Sequence, residues 1–213
     1  MNGFTQNKPE VIVFDFDGTI VNSMESFANI AAEVMPKYLP IDREAARYRY
    51  LESSGIPFFQ QLETIFPSHP ANITTAEEFE LTKLENYLHE PLFEDALDTI
   101  HHLRERGIRV VISSNNFQHL VDRYVGETGI ELDMVLGFKD NFAKGADHFA
   151  HIERTLGVER NQIVFVGDSI KDAERAADYG VRFIGKEGIF TKEDFECRFP
   201  NLTVIGSLSE LKK

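Results

Sequence analysis

Two aspartates that stand one residue apart, Asp15 and Asp17, end a run of apolar residues in the segment "VIVFDFDGTIVNS" at positions 11–23. Like charges this close repel each other unless a positive charge lies beside them. Alternate residues of a strand point to the same face, so both carboxylates can face one ligand. The pair therefore indicates a cation-binding site, and Gly18 and Thr19 form a predicted tight turn directly after it.

Further polar residues follow two other apolar runs or precede a helix. They are Ser113, Ser114 and Asn115 after "IRVVI", Lys144 in "NFAKGAD", and Asp168 with Asp172 after "QIVFVG". Ligands of an open parallel sheet bind at the carboxyl ends of its strands. We therefore expect carboxylates, hydroxyls and one lysine to meet at a single edge of a sheet. Asp168 is also a candidate N-cap of the helix that follows it.

The elements that must position these residues alternate between apolar strands and amphipathic helices. From residue 91 onward, short apolar segments such as "IRVVI" and "QIVFVG" alternate with helical segments such as "FEDALDTIHHLRERG" and "DAERAADYG". This alternation predicts an α/β fold, a Rossmann-like three-layer core with a mostly parallel sheet and helices on both faces. Residues 185–200 give the weakest pattern in this region.

Residues 22–90 have a different pattern, because apolar residues recur at helical spacing and no strand is evident. Proline-containing breaks, among them Pro36 and Pro40, divide the segment into several helices. An interval of about 70 residues between two strands is too long for an ordinary connection. The sequence therefore predicts an inserted all-helical domain at 22–90 and a core domain made of 1–21 and 91–213.

Composition limits the classes of partner. The net charge of −13 argues against nucleic acid or an anionic membrane, although a metal or a few cations can attract a small anion locally. The single Cys197 excludes an internal disulfide. No apolar stretch is long enough to span a bilayer, and the first ten residues show no secretory signal. We expect a soluble, cytoplasmic protein without nucleic-acid or membrane partners.

The motifs "DFDGT", "VVISSN", "AKG" and "VGDSIKD", in this order, resemble the four motifs of the haloacid dehalogenase-like hydrolase superfamily. The resemblance covers the whole chain, and the helical insert is similar to the cap domain of phosphoglycolate phosphatase-like members. It implies a Mg²⁺-dependent phosphatase that hydrolyses a small phosphorylated metabolite, a phosphomonoester, through an aspartyl-phosphate intermediate.

The resemblance also implies a role for each matching residue. Asp15 would be the nucleophile, and Asp17 would be the general acid and then the general base. Mg²⁺ would be held by Asp15, Asp168 and the backbone carbonyl of Asp17. Lys144 would supply a fixed positive charge. The implied phosphate-binding residues are Gly18, Thr19, Ser113, Ser114, Asn115 and Lys144, and the implied supporting residues are Ser169 and Asp172. Asp172 would either ligate the ion through water or orient Lys144.

Two alternative functions stay open at this point. A phosphomutase of the β-phosphoglucomutase type resembles the chain in the same motifs, and a non-catalytic binding domain could use the same fold. Asp17 favours an oxygen leaving group, because dehalogenase and phosphonatase members of the superfamily replace this aspartate.

Several residues outside the motifs have weaker interpretations. In the insert, Arg47, Arg49 and Gly55 are candidates for substrate specificity, and a simple surface role for the arginines is equally open. His148 and His151 lie three residues apart on a predicted helix. No third metal ligand accompanies them, so we interpret both as surface histidines.

Overall fold

The structure, a computed structural model, describes residues 8–213. The first seven residues of the predicted core domain, and with them most of the segment assessed for a secretory signal, lie outside the described residues. Within the described part, six strands form one sheet: β1 (Val11–Phe14), β2 (Arg109–Phe117), β3 (Met134–Phe138), β4 (Ile163–Gly167), β5 (Arg182–Lys186) and β6 (Thr203–Ile205).

The strand order is β3-β2-β1-β4-β5-β6, and each described strand pair is parallel. The central strand β1 is buried along its whole length, with Phe14 paired to Ile112 of β2 and to Val166 of β4. The chain moves outward from β1 to β3 and then returns to the other side of β1 with β4. In a parallel sheet, such a reversal opens a crevice at the carboxyl ends of the strands.

The helices of the described residues are α1 (Met24–Tyr38), α2 (Arg43–Glu52), α3 (Phe58–Ile65), α4 (Asn72–Asn86), α5 (Ala96–Glu105), α6 (Gln118–Thr128), α7 (Ala146–Leu156), α8 (Ile170–Tyr179) and α9 (Lys192–Arg198). Three short 3₁₀ turns lie at Tyr87–His89, Arg160–Gln162 and Leu208–Lys212. None of the helices in residues 8–213 is long and apolar enough to cross a membrane. The alternation of strands and helices confirms the predicted Rossmann-like α/β fold.

The chain divides into two compact units. One contains Val21–Pro91, which we call the helical unit, and it consists of α1 to α4. The other, the sheet unit, contains the described part of Met1–Ile20 together with Leu92–Lys213. The assignment of the helical unit as an inserted cap domain stays a prediction.

Helices α7 and α8 illustrate how sequence periodicity produces the core of the sheet unit. Phe149 and Ile152 lie three residues apart on α7, and both are fully buried. The Phe149 ring packs edge-on against Phe165 of β4, with 5.4 Å between centroids. Replacing one such buried phenylalanine with alanine typically costs about 3–5 kcal/mol of stability. Gly157 ends α7 in the left-handed conformation, with φ of 65°.

Three boundaries differ from the sequence predictions. Pro36 was a predicted break, yet it lies inside α1, where the buried residues Ala31 and Met35 keep the apolar face of the helix continuous. The apolar run "VIVFDF" predicts a strand over residues 11–16, but strand β1 ends at Phe14. Strand β2 continues past Ile112 to Phe117, so Ser113 to Asn115 lie within the strand and not after it. Its pairing with β3 becomes irregular between Ser113 and Phe117.

Candidate active site

The carboxyl ends of β1 and β4, together with the middle of the longer strand β2, bring Asp15, Asp168 and Ser113 to one edge of the sheet. Asp15 follows Phe14 of β1, and its backbone N–H donates to the Val166 carbonyl of β4 at 2.8 Å. Ser113 follows Ile112, the partner of Phe14, and Asp168 directly follows β4. All three side chains are buried, with exposed fractions of 6% for Asp15 and 3% for Asp168. Parallel register therefore produces the convergence.

Lys144 lies between two of the carboxylates at this edge. Its Nζ is 2.6 Å from Asp15 Oδ1 and 2.7 Å from Asp172 Oδ1. Burial opposes the charge on Lys144, but the attraction of the two carboxylates is stronger, and the pKa of Lys144 lies above its ordinary value. The lysine therefore remains a fixed positive charge beside Asp15.

Asp172 has its carboxylate oxygens occupied by other protein groups. Ser169 Oγ donates to Asp172 Oδ2 at 2.7 Å, and Arg175 Nη1 donates to Oδ1 at 3.2 Å. Ser169 Oγ also accepts from the Asp172 N–H, so Ser169, and not Asp168, is the N-cap of α8. Of the two roles open for Asp172, the direct contact favours the orientation of Lys144.

Asp15, Asp168 and Asp172 form a buried acidic cluster, in which one oxygen from each lies within 4.8 Å of the others. Burial raises the pKa of Asp15 to about 6, and Lys144 partly offsets this effect. Burial and the neighbouring Asp15 carboxylate raise the pKa of Asp168 well above its usual range. Within residues 8–213, no lysine, arginine or histidine forms an ion pair with Asp168.

This cluster fits a divalent cation. Its donors are carboxylate oxygens, the ligands that Mg²⁺ prefers, and Lys144 and Lys186 only partly compensate the buried Asp168, which forms no ion pair with the described residues. The Thr19 hydroxyl donates only long hydrogen bonds, of 3.5 Å to Asp15 Oδ2 and 3.4 Å to Asp168 Oδ1. A bound cation would offset both the burial and the carboxylate repulsion that raise the two aspartate pKa values.

The turn after Asp15 has the backbone conformation that its sequence suggests. Gly18 has φ of 80°, a left-handed conformation that glycine adopts without strain. Thr19 is fully buried, its N–H donates to the Phe16 carbonyl at 3.3 Å, and its hydroxyl donates to the cluster. Both donors of Thr19 are therefore engaged by the protein, which favours a supporting role over the implied phosphate contact.

Strand β2 places the remaining predicted phosphate-binding residues and one that the sequence analysis missed. Ser114 is buried, and its Oγ accepts from the Asn116 N–H at 3.0 Å, while Asn115 is half-buried. Asn116 Nδ2 donates to Asp17 Oδ2, across 99 positions of sequence. The alternation of side chains along a strand could have indicated that Asn116 lies at the site. That inference required knowing that β2 continues past Ile112.

The interpretation of His148 as a surface histidine is wrong. Its side chain is fully buried in the first turn of α7, and Nδ1 lies 2.8 Å from Ser113 Oγ. The ring packs against Phe142, with 4.6 Å between centroids. Helical periodicity marks the buried face by apolar residues, so a buried polar residue on that face carries no signal of its own. His151, one turn further on, is half-buried.

Lys186 is a second buried residue that the sequence analysis missed. It ends β5 with an exposed fraction of 3%, and its Nζ donates to the Gly18 carbonyl at 3.2 Å. The ammonium lies 3.7 Å from the centroid of the Phe93 ring, a cation–π contact. Burial lowers the pKa of Lys186. Lys186 therefore stabilises the turn that follows the two aspartates through its hydrogen bond to Gly18.

The candidate specificity residues lie in the helical unit. Arg47 forms an ion pair with Glu25, and Arg49 Nη1 is 2.9 Å from Glu52 Oε2. Gly55 has φ of 94° in the turn between α2 and α3. These contacts are within the helical unit, and a role for the three residues in substrate choice stays a prediction.

Two curated proteins resemble the chain in sequence. The pyrophosphatase PpaX of Halalkalibacterium halodurans is 20% identical over 204 residues, which cover 94% of each protein. The enolase-phosphatase E1 of Aquifex aeolicus is 27% identical over 113 residues, which cover 50% of this chain and 51% of that protein.

Solved structures share the fold over nearly the whole chain. A haloacid dehalogenase-like family hydrolase from Streptococcus pneumoniae superposes with a TM-score of 0.81 at 18% identity, covering 95% of this chain and 96% of that one. CbbY from Rhodobacter sphaeroides, solved with xylulose-(1,5)-bisphosphate, superposes with a TM-score of 0.71 at 20% identity and covers 95% of this chain and 96% of that one.

A family model described as haloacid dehalogenase-like hydrolase matches residues 12–186. This range is most of the chain, and it includes the acidic cluster, Lys144 and Ser113. The four sequence motifs, the order of the parallel strands and the match to the family model agree with one another. The chain belongs to the haloacid dehalogenase-like hydrolases.

Proposed function

We propose that the chain is a Mg²⁺-dependent phosphatase that hydrolyses a small phosphomonoester through an aspartyl-phosphate on Asp15. The observation that carries this proposal is the buried Asp15 carboxylate, which directly follows the central strand, contacts Lys144 and lies in one acidic cluster with Asp168. Such an arrangement combines an anionic nucleophile with the positive charge needed to bring a phosphate group to it.

Asp15 supplies the nucleophile in this proposal. Lys144 holds Oδ1 at 2.6 Å, which leaves Oδ2 as the oxygen available for attack. At pH 7 the carboxylate is mostly ionised, because its pKa of about 6 is lower than this pH. In the first step Oδ2 forms a bond to phosphorus, while the bond between phosphorus and the leaving oxygen breaks.

Asp17 moves the protons of both steps. In the first step it gives a proton to the leaving oxygen, so an alcohol departs. In the second step it takes a proton from a water molecule that attacks phosphorus, and the bond to Asp15 breaks to release inorganic phosphate. The hydrogen bond from Asn116 Nδ2 holds the Asp17 carboxylate in place beside the sheet edge.

The proposed Mg²⁺ ligands are carboxylate oxygens of Asp15 and Asp168 and the backbone carbonyl of Asp17. When bound, the cation would neutralise phosphate charge and orient the phosphoryl group. Lys144, oriented by Asp172, stabilises the charge on the transferring group. Ser113 is the proposed hydroxyl donor to a phosphoryl oxygen, and Gly18, Ser114 and Asn115 remain proposed contributors to phosphate binding.

The substrate class is proposed from charge and from the relatives. The names of the two curated relatives refer to pyrophosphate and phosphate chemistry, and the neighbouring CbbY structure contains a sugar bisphosphate. A small phosphorylated metabolite of the cytoplasm fits a chain whose net charge of −13 disfavours nucleic acid and anionic membranes.

The test is the release of inorganic phosphate from a panel of phosphomonoesters, with and without Mg²⁺. We expect release only with the cation, and a loss on the order of 10³-fold or more in Asp15→Asn. Asp178→Asn, the same substitution at an exposed position of α8, is the matched control and should keep full activity. Circular dichroism should show that both variants are folded.

Two outcomes would replace the proposal by its alternatives. Turnover that requires a sugar bisphosphate and yields no net inorganic phosphate would identify a phosphomutase. Failure of every phosphomonoester and every sugar bisphosphate in the panel, for the folded and Mg²⁺-loaded wild-type protein, would favour a non-catalytic binding domain.

A further inference from the structure

Ser113 and His148 form a buried pair that the proposed chemistry does not by itself explain. Both side chains are fully buried, and 2.8 Å separates Ser113 Oγ from His148 Nδ1. Ser113 comes from β2 and His148 from the first turn of α7, so the contact joins two elements 35 positions apart. Lys144, which holds Asp15, precedes the same helix by two residues.

The protonation state of His148 determines what this contact can do. Burial lowers the pKa of His148 to about 4, and the positive charge of Lys144 acts in the same direction. The imidazole is therefore neutral at physiological pH, so only one ring nitrogen carries a hydrogen. A hydrogen bond between the ring and the Gly137 backbone of β3 and the Asp147 carboxylate raise the pKa, and the neighbouring His151 lowers it, but burial is the largest effect.

The single hydrogen of the Ser113 hydroxyl can serve only one acceptor. If His148 Nδ1 lacked a hydrogen, it would accept the Ser113 hydrogen, and none would remain for a phosphoryl oxygen. The other ring nitrogen, Nε2, is buried and makes no hydrogen bond with the described residues. A buried N–H without a partner is rarer and more costly than an unfilled acceptor, so the hydrogen is favoured on Nδ1.

We propose that His148 is a positioning residue which, as the Nδ1–H tautomer, donates to Ser113 Oγ and thereby directs the Ser113 hydrogen toward the phosphoryl oxygen of the substrate. This proposal rests on the proposed phosphatase function. The chemical step involves no proton transfer to His148, since the imidazole acts only through the orientation of Ser113. Its contribution is greatest when negative charge accumulates on the phosphoryl oxygens, and it should therefore affect kcat more than KM.

Two substitutions of His148 distinguish the contributions of its two ring nitrogens. The side-chain amide of asparagine reaches the position of Nδ1, whereas that of glutamine reaches the position of Nε2. We expect His148→Gln to lower kcat by roughly tenfold and His148→Asn to retain at least a third of wild-type kcat. His151→Asn, on the same helix and also in contact with Phe142, is the control and should leave kcat unchanged.

A double-mutant cycle with Ser113→Ala tests whether His148 acts through Ser113. In the Ser113→Ala background, His148→Gln should change kcat by less than twofold, because the hydroxyl that it orients is gone. A full tenfold loss in that background would overturn the proposal and indicate a general packing role.

Nitrogen-15 NMR of the histidine rings gives a measurement that does not depend on turnover. The proposal requires a neutral His148 with its hydrogen on Nδ1 at pH 7, with phosphate and Mg²⁺ present. A hydrogen on Nε2, or a charged ring, would overturn the proposal even if the enzyme is active. If the tautomer is as expected but the wild-type protein releases no phosphate, the proposed function fails instead.

Discussion

Charge balance around Lys144 organises the site at the scale of single residues. The ammonium contacts Asp15 and Asp172 at nearly equal distances, of 2.6 and 2.7 Å. Because Lys144 is shared with Asp172, its electrostatic interaction with the Asp15 carboxylate is weaker. Ser169 and Arg175 form hydrogen bonds with Asp172 and fix its position. A lysine paired with Asp15 alone would bind the carboxylate more tightly and make it a weaker nucleophile.

Asp172→Asn tests this balance. The variant keeps the volume of the side chain but removes its charge, so Lys144 should turn entirely toward Asp15. We expect kcat to fall roughly 10- to 100-fold, the usual effect of losing one or two charge-assisted hydrogen bonds. The measurement is steady-state phosphate release in saturating Mg²⁺. Asp178→Asn on the same helix is the control, and a kcat equal to that of wild type would remove Asp172 from the network.

Residue identities in the sequence predicted part of this site and missed another part. Asp15, Ser113 and Asp168 each follow an apolar strand segment, and parallel pairing brings such positions together, which is why their convergence was predictable. His148 and Lys186 were not predictable in this way. Each is a polar residue on a buried face. The hydrophobic pattern identifies such a face by its apolar residues, so it does not predict that a polar residue there is buried.

At the scale of elements, glycines set how closely a strand approaches a helix. Gly137 of β3 has no room for a side chain: a Cβ there would lie 2.5 Å from Gln118 Cα and 2.9 Å from the Asn116 carbonyl. The Gly137 N–H donates to Gln118 Oε1 at 2.8 Å, which fixes the start of α6 against β3. This close approach holds the end of β2, with Ser113 to Asn116, in its position.

Gly137→Ala should therefore lower both stability and activity. Because the clash is with backbone atoms, relief requires movement of the junction between β2 and α6, at a cost of roughly 1–3 kcal/mol. Gly126→Ala is the control, since a Cβ at this exposed position of α6 meets nothing within 4 Å. We expect the control to raise stability by about 0.5–1 kcal/mol, as alanine favours helix more than glycine does.

Urea denaturation monitored by circular dichroism measures both changes, and phosphate release measures the effect on the site. Equal stability of Gly137→Ala and wild type would show that the junction relaxes without cost. It would also show that the close approach of β3 to α6 is not what holds the end of β2.

Element types were more predictable than element ends. The patterns from residue 91 onward predicted strands and helices such as β2, β4, α5 and α8, because the strands are short apolar runs and the helices have a period of about 3.6 residues. The extension of β2 to Phe117 was not predictable, since "SSNNF" has no apolar alternation and its conformation follows from pairing with β3. Pro36 is a similar case, because proline favours the end of a helix, but the packing of the buried face of α1 lets the helix continue past it.

At the scale of the whole molecule, the buried acidic cluster links stability to pH and to divalent cations. The folded pKa of Asp15, about 6, lies above its ordinary value of 3.8. Folding therefore disfavours the ionised form, and the stability of the cation-free protein falls as pH rises from about 4 to about 6 because of this group. Asp168, whose pKa is also raised, acts in the same direction.

Mg²⁺ should reverse this loss at neutral pH. A ligand present at 100 times its dissociation constant stabilises the folded state by about 2.7 kcal/mol, which corresponds to a rise in Tm of roughly 5–10 °C for a chain of this size. At pH 5 protons compete with the cation for Asp15 and Asp168, so the rise should be less than half of that at pH 7.5. Differential scanning fluorimetry at both pH values measures the effect.

The controls separate binding in the cluster from general screening of the net charge of −13. Sodium chloride at matched ionic strength screens that charge without occupying the cluster, so it should give a smaller rise in Tm that is the same in all variants. Asp168→Asn should lose the specific effect of Mg²⁺, whereas Asp178→Asn should keep it. A rise in Tm of equal size at pH 5 and pH 7.5, or one retained in Asp168→Asn, would place the cation elsewhere on the acidic surface.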